Sequence, residues 1–132
     1  IDDFCAIVNG LFKDTGKRIE IEGNKFNIIA DNQILPIDAL SSGEKQILLI
    51  LLRVFLLDGK SGYVLIDEPE NSLDISWQFE LIDILVKFNP NAQYFITTHS
   101  PSIFGKGWGD KIIYMEDITT PVKQNKEIIN GE

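Results

Sequence analysis

Cysteine, histidine and methionine occur once each, as Cys5, His99 and Met115. One cysteine excludes an internal disulfide and suits a reducing compartment, so a cytoplasmic location is expected. Cys5 reads as a small buried apolar residue. One histidine and one cysteine far apart argue against a zinc site. Basic residues are scarce as well: 12 Lys and Arg stand against 20 Asp and Glu, giving a net charge of −8. No basic run occurs, and phosphate contacts need clustered Lys and Arg. Nonspecific nucleic-acid binding by this stretch is therefore disfavoured. Long apolar runs are also lacking. The longest, Ile47 to Leu57, is interrupted by Arg53, whereas a spanning helix needs about 20 residues. It reads instead as a core helix buried nearly all round, and no membrane partner is expected. No internal repeat, low-complexity segment or signal peptide is visible.

What is there fits one domain: 132 residues, 44% of them hydrophobic, can bury a core. Phe4, Ile7, Val8, Leu11 and Phe12 recur at helical spacing and predict a first helix closed by Gly16. The period then changes to two. Arg18-Ile19-Glu20-Ile21-Glu22 alternates, Gly23-Asn24 is a hairpin signal, and Lys25 to Ala30 is the return strand. Asp31-Asn32 turns the chain again into a short strand from Gln33 to Ile37, ended by Pro36. This meander leads into a helix over about Gly43–Leu57. A strand over Tyr63–Ile66 and a helix over about Ile75–Phe88 follow, the helix carrying Trp77, Leu81, Leu85 and Phe88 on one side. Asn89-Pro90-Asn91 stops that helix. Gln93 to Thr98 is a second strand, a turn or short helix follows Pro101, and Lys111 to Met115 reads as a third strand. Strand, helix, strand, loop, strand implies an α/β fold of parallel strands with crossovers. The tail beyond Glu116 is polar and frays or adds an edge strand.

The chemistry concentrates at a few points. Tyr63-Val64-Leu65-Ile66-Asp67-Glu68-Pro69 is an apolar run ending in paired carboxylates. A buried parallel strand delivers acid groups to a site at its C-terminal end in this way. Consecutive strand residues point oppositely, so Asp67 and Glu68 can do different work. Ser41-x-x-Glu44 ahead of an apolar run is a capping box, which needs no function. The same helix N-terminus, with free amides and a positive dipole end, is also an anion site. His99 follows the second strand, and parallel pairing would set it beside the Glu68 strand end. Asp74 is a favoured N-cap for the helix that starts near Ile75.

Taken in order, Leu40-Ser41-Ser42-Gly43-Glu44-Lys45-Gln46, Tyr63 to Pro69, Ser72-Leu73-Asp74 and Phe95-Ile96-Thr97-Thr98-His99-Ser100-Pro101 resemble the C-terminal half of an ABC-type ATPase head. They look like its signature, Walker B strand, D-loop and switch histidine. The Ser-Ser-Gly-Glu-Lys, Asp-Glu-Pro-Glu-Asn-Ser-Leu and Thr-Thr-His-Ser-Pro stretches are most similar to the RecF, SMC and OLD-like branch. Transporter heads usually follow the signature with a basic, Ala-rich helix, and the Ile47–Arg53 run is unlike that. The resemblance implies ATP and Mg²⁺ as cofactors. It implies Asp67 on the metal, Glu68 polarising the attacking water, and His99 at the γ-phosphate. Ser41, Ser42 and Gly43 would meet the γ-phosphate of a second subunit's nucleotide, and Asp74 would lie across that interface. The family's usual pair of glycines is Ser42-Gly43 here, and its usual glutamine is Glu44. The first change adds a side chain where close approach is expected. The second puts an acid beside the loop, where only a capping role makes it harmless.

Such an ATPase also needs a Gly-rich phosphate loop, Gly, four residues, then Gly-Lys-Ser/Thr. Gly59-Lys60-Ser61 imitates its end, but the first glycine's place holds Val54, and the segment precedes a strand. It reads as a turn. The chain is thus expected to be a single partial domain, 1–132, from a longer protein. Residues 1–37 form the helix and meander, 38–115 the signature helix and α/β core, and 116–132 the tail. The expected partner is a second head in a head-to-tail homodimer. Nucleic acid would be gripped by parts outside this stretch, and a nuclease or effector subunit is a further expected partner. The task would be DNA-linked, as in repair or phage defence. Alone, the stretch is expected to be inactive. The alternative is a non-catalytic binding module that keeps the fold. Without its neighbouring strand, the sheet is expected to expose an edge that drives self-association.

Overall fold

The change of period from helix to meander fixes the first third of the chain. A computed structural model describes residues 2–105 and 107–120. Helix α1 (Asp2–Phe12) buries Phe4, Val8, Leu11 and Phe12, and Gly16 takes the left-handed φ of +73° that ends the turn after it. Strands β1 (Arg18–Glu22), β2 (Lys25–Ala30) and β3 (Gln33–Leu35) form an antiparallel sheet in sequence order. Glu22 pairs with Lys25 across the Gly23-Asn24 hairpin, and Ala30 with Gln33 across Asp31-Asn32. Asn9 ties α1 to this sheet: its amide donates to Ile19 O at 3.0 Å, and its oxygen accepts from Ile19 N at 2.7 Å. Pro36 ends β3 two residues sooner than its apolar pattern predicts.

Helix α2 (Ser42–Phe55) leads to strand β4 (Gly62–Asp67), helix α3 (Ile75–Phe88) and strand β5 (Ala92–Thr97). β4 and β5 pair in parallel, from Gly62 with Ala92 to Asp67 with Thr97. The crossover of strand, helix and strand follows from that parallel pairing, which a hairpin cannot make. The core joins α1, the first sheet, α2 and α3, with Ile47, Leu51, Leu81 and Leu85 fully buried. Phe4, Phe55 and Phe88 stack pairwise at 5.1–6.2 Å between ring centres, tying α1, α2 and α3 together.

Two expectations are corrected. α2 is not buried all round: Leu49, Leu52 and Leu56 stand exposed, because the core covers only the Ile47, Leu51 and Val54 side. Lys111 to Met115 is not a strand. Gly109–Lys111 is a 3₁₀ turn and Met115–Ile118 a short helix. Ile113, Tyr114 and Met115 are exposed, and a short apolar run becomes a strand only beside another strand. Residues 121–132 of the expected tail lie outside the described residues. Cys5 is half-buried against the core, without a disulfide. No described helix is long and apolar enough to cross a membrane.

Candidate functional site

The start of α2 is built by its cap. Ser41 Oγ accepts from Glu44 N at 3.2 Å, and Glu44 Oε2 accepts from Ser41 N at 2.6 Å, completing the capping box. The same Oε2 receives Lys17 Nζ at 2.8 Å. Burial is the largest influence on the Glu44 carboxyl and pushes its pKa up. The bonds from Lys17 and Ser41, with the Lys17 charge, outweigh it and hold the pKa below its usual value. The Glu44 side chain is therefore turned inward, capped and paired.

Gly43 is buried against the segment that precedes α3. A Cβ there would lie 2.5 Å from Ser72 O, so only glycine allows this approach. Ser41, Ser42, Gly43, Ser72, Leu73 and Asp74 line one cleft of about 630 Å³ with Trp77 and Asn71. Helix geometry leaves the Ser42 and Gly43 amides without an intrahelical acceptor. Asp74 caps α3, its Oδ1 accepting from Ser76 N at 2.9 Å and Ser76 Oγ at 2.6 Å. Those bonds, the hydroxyl's first, hold its carboxyl below the usual range.

Asp67, Glu68 and His99 do not line that cleft. They gather at the carboxyl ends of β4 and β5. Asp67, the last residue of β4, accepts from the Thr97 hydroxyl. Glu68 leaves the strand in the left-handed region, at φ +41°. Its side chain is thus aimed by a sharp turn and not by strand alternation. Glu68 N donates to Thr97 O at 3.0 Å, Asn71 Nδ2 donates to Glu68 Oε2 at 2.9 Å, and His99 Nε2 lies 3.2 Å from Glu68 Oε1. The parallel pairing predicted from sequence does bring His99 to Glu68.

Three polar residues given no chemistry by the sequence complete the arrangement. Glu70, in a 3₁₀ turn (Pro69–Asn71), accepts at Oε1 from Thr98 Oγ1 at 2.7 Å and His99 N at 2.6 Å. Burial raises its pKa most, but the Thr98 hydroxyl and backbone groups around Glu70, His99 and Ser100 bring it below its usual value. Asn71 belongs both to the cleft lining and to Glu68. Gln78 is buried, donating to Leu73 O at 3.0 Å and accepting from Ser100 Oγ at 2.9 Å. Its signal was legible: a polar residue at i−3 to Leu81 sits on the buried stripe of α3, and a buried amide there needs partners.

A pair of acids at the end of a parallel strand, a histidine just past the next strand and a capped helix start define a class. It is the ABC-type ATPase head, in the RecF, SMC and OLD-like branch. Over residues 10–105 the chain matches the family described as "AAA domain, putative AbiEii toxin, Type IV TA system", and it belongs to that family. It is 36% identical over 98 residues to the Retron Ec83 probable ATPase of Escherichia coli, covering 64% of this chain and 18% of that protein. It is 30% identical over 142 residues to the DNA double-strand break repair Rad50 ATPase of Sulfurisphaera tokodaii, covering 100% of this chain and 16% of that one. The chain thus spans less than a fifth of the length of these relatives. In fold it resembles an SMC head solved bound to the C-winged helix domain of ScpA. The TM-score is 0.61 at 19% identity, over 77% of this chain and 34% of that one. A second structure, from work on ATP-driven dimerization and DNA-stimulated activation of SMC ATPases, gives 0.55 at 20%, over 78% and 68%.

Proposed function

We propose that this chain is the signature and Walker B part of an ATPase head. In the intact protein two heads would pair head to tail and hydrolyse ATP. The observation that carries the reading is the Glu68–His99 pair, 3.2 Å apart at the ends of paired parallel strands. There Glu68 would take a proton from the attacking water, and His99 would orient that water and meet the γ-phosphate. The donor set suits Mg²⁺: among the described residues no group of three or more acids, cysteines or histidines could cage an ion. Mg²⁺ takes one or two carboxylates and keeps waters and phosphate oxygens for the rest. Asp67 would supply that carboxylate. When bound, the ion would neutralise charge on the phosphates.

Ser41, Ser42 and Gly43 would face the nucleotide of the partner head with the free amides of α2, and Asp74 would lie beside them. Support for this division comes from the separation of the two groups. The cleft lining includes none of Asp67, Glu68 and His99. The protein would act in the cytoplasm on a DNA-linked task, repair or phage defence, as the names of its relatives suggest, with a nuclease or effector as a further partner. Nucleic acid would be held by regions beyond this acidic stretch. The 132-residue chain by itself carries no Gly-rich phosphate loop, so alone it would serve only as a non-catalytic binding module. The test is ATP turnover by the intact protein. Glu68→Gln should cut kcat by about a hundred-fold or more, since general-base catalysis is worth roughly 10²–10⁴. An unchanged rate would remove Glu68 as the base.

A further inference from the structure

We infer that Glu70 is a positioning residue that holds His99 in register with Glu68. The His99 side chain is 88% exposed. No packing therefore fixes the imidazole, and its location is set through its backbone. That backbone is held by one carboxylate: Glu70 Oε1 accepts from His99 N at 2.6 Å and from Thr98 Oγ1 at 2.7 Å. Hydrogen bonds to a charged acceptor are about twice as strong as neutral ones. Thr98 Oγ1 in turn accepts from Ser100 N at 2.9 Å. Gln78 closes the frame from α3, donating to Glu70 O at 3.4 Å and taking the Ser100 hydroxyl at 2.9 Å. The turn after Glu68 and the loop around His99 thus form one polar unit.

The second carboxylate oxygen strengthens the assignment. Glu70 Oε2 is buried with no hydrogen-bond partner among the described residues. Leaving a buried acceptor unpaired is costly, and a shorter or apolar residue would avoid that cost. What such a residue would lose is the charged acceptor under the His99 amide.

This inference rests on the ATPase reading for its kinetic test and not for its structural one. In the intact protein, Glu70→Ala should lower kcat about ten-fold or more, because a misplacement of about an ångström costs up to roughly a hundred-fold. KM for ATP should stay within about two-fold. In a His99→Ala background, adding Glu70→Ala should change kcat by less than about two-fold, since Glu70 acts through His99. Additive losses would overturn the assignment, as a general loss of structure adds to any active-site change. Without nucleotide, Glu70→Ala should speed amide hydrogen exchange at residues 98–100 by about ten-fold. Unchanged exchange there also overturns it. Should Glu70→Ala fail to fold, Glu70→Gln keeps an acceptor oxygen without the charge and should show the same two effects in smaller measure. If the wild-type intact protein turns over no ATP, the ATPase reading fails, and the exchange measurement still decides the role of Glu70.

Discussion

Gly43→Ala puts one methyl group into the contact that joins the two sides of the cleft. The new Cβ would lie 2.5 Å from Ser72 O and 3.6 Å from its carbonyl carbon, where ordinary contact begins at 3.4 Å. Either the Ser72 carbonyl or the first turn of α2 must retreat by about an ångström. Rotating a side chain cannot relieve the clash, because the obstacle is backbone. Neither side is free to move. The start of α2 is held by its capping box and by Lys17, and the Ser72 segment is held through Leu73 O by Gln78. Overpacking of this kind costs about 1–3 kcal/mol, and a gain in helix propensity of up to about 1 kcal/mol offsets part of it. A net loss of about 1–2 kcal/mol is expected. Gly10→Ala is the control. Gly10 also lies in a helix, and its Cβ would meet nothing within 4 Å, so it should gain about 0.5–1 kcal/mol. Urea unfolding, followed by fluorescence of Trp77 where it stacks on Phe12 at 5.9 Å, reads both. The two midpoints should move in opposite directions at constant slope. A Gly43→Ala protein as stable as its parent would refute the close approach.

Two further predictions concern charge and surface. Glu44 has a folded pKa below its ordinary value. Its stabilisation is therefore present above the unfolded pKa and lost as pH falls through the folded one. Glu44→Gln should cost about 1–3 kcal/mol at pH 7 through the lost Lys17 pair, and the gap to the parent should narrow as pH falls through the lowered folded pKa; a gap that does not change with pH contradicts the pairing. Tyr63, Leu65 and Phe95 are 77%, 73% and 53% exposed on one face of β4 and β5. The isolated 132-residue chain should therefore self-associate in sedimentation at about 0.1 mM, and Leu65→Lys should weaken this about ten-fold, from the ~1.5–3 kcal/mol of burying a leucine. A monomeric parent at that concentration argues against the exposed face as an association surface.

The legible parts of the fold were those whose cause is local. The period-two run from Arg18 to Glu22 and its Gly23-Asn24 turn specify a hairpin without help from the rest of the chain, and β1 and β2 begin and end where that pattern does. Asp74 names the start of α3 because an N-cap is a property of a few neighbouring residues. Lys111 to Met115 failed for the opposite reason. Its apolar, β-branched and aromatic composition is that of a strand, but strand formation depends on a neighbour that sequence pattern does not supply. The exposure of Leu49 and Leu52 on α2 has the same origin: composition marks a residue as apolar, and only the packing decides what covers it. The carboxylates were singled out as the end of an apolar run, and the histidine by its place after a strand and by resemblance. Glu70 escaped because its role lies in a contact to His99, 29 positions away.

Those contacts explain how the strained part of the site persists. A non-glycine residue held at positive φ costs about 1–3 kcal/mol and survives only where its surroundings over-determine it. Glu68, at φ +41°, meets that condition from both sides. Its amide is taken by Thr97 on β5, at the carbonyl and more weakly at the hydroxyl. Its carboxylate is held by Asn71 and faces His99. The same turn continues through Glu70, which holds the His99 amide, to Leu73, whose carbonyl is bound by the buried Gln78. Its far end, at Ser72, presses on Gly43. The cleft and the Glu68 carboxylate are therefore joined by a short covalent and hydrogen-bonded route. The route runs along residues 68–74, through groups already engaged at each end. That arrangement makes the end of β4, the turn before α3 and the start of α2 one contiguous unit, and it places the sensitive positions at Gly43 and Glu70, outside the acids and histidine that motif reading finds first.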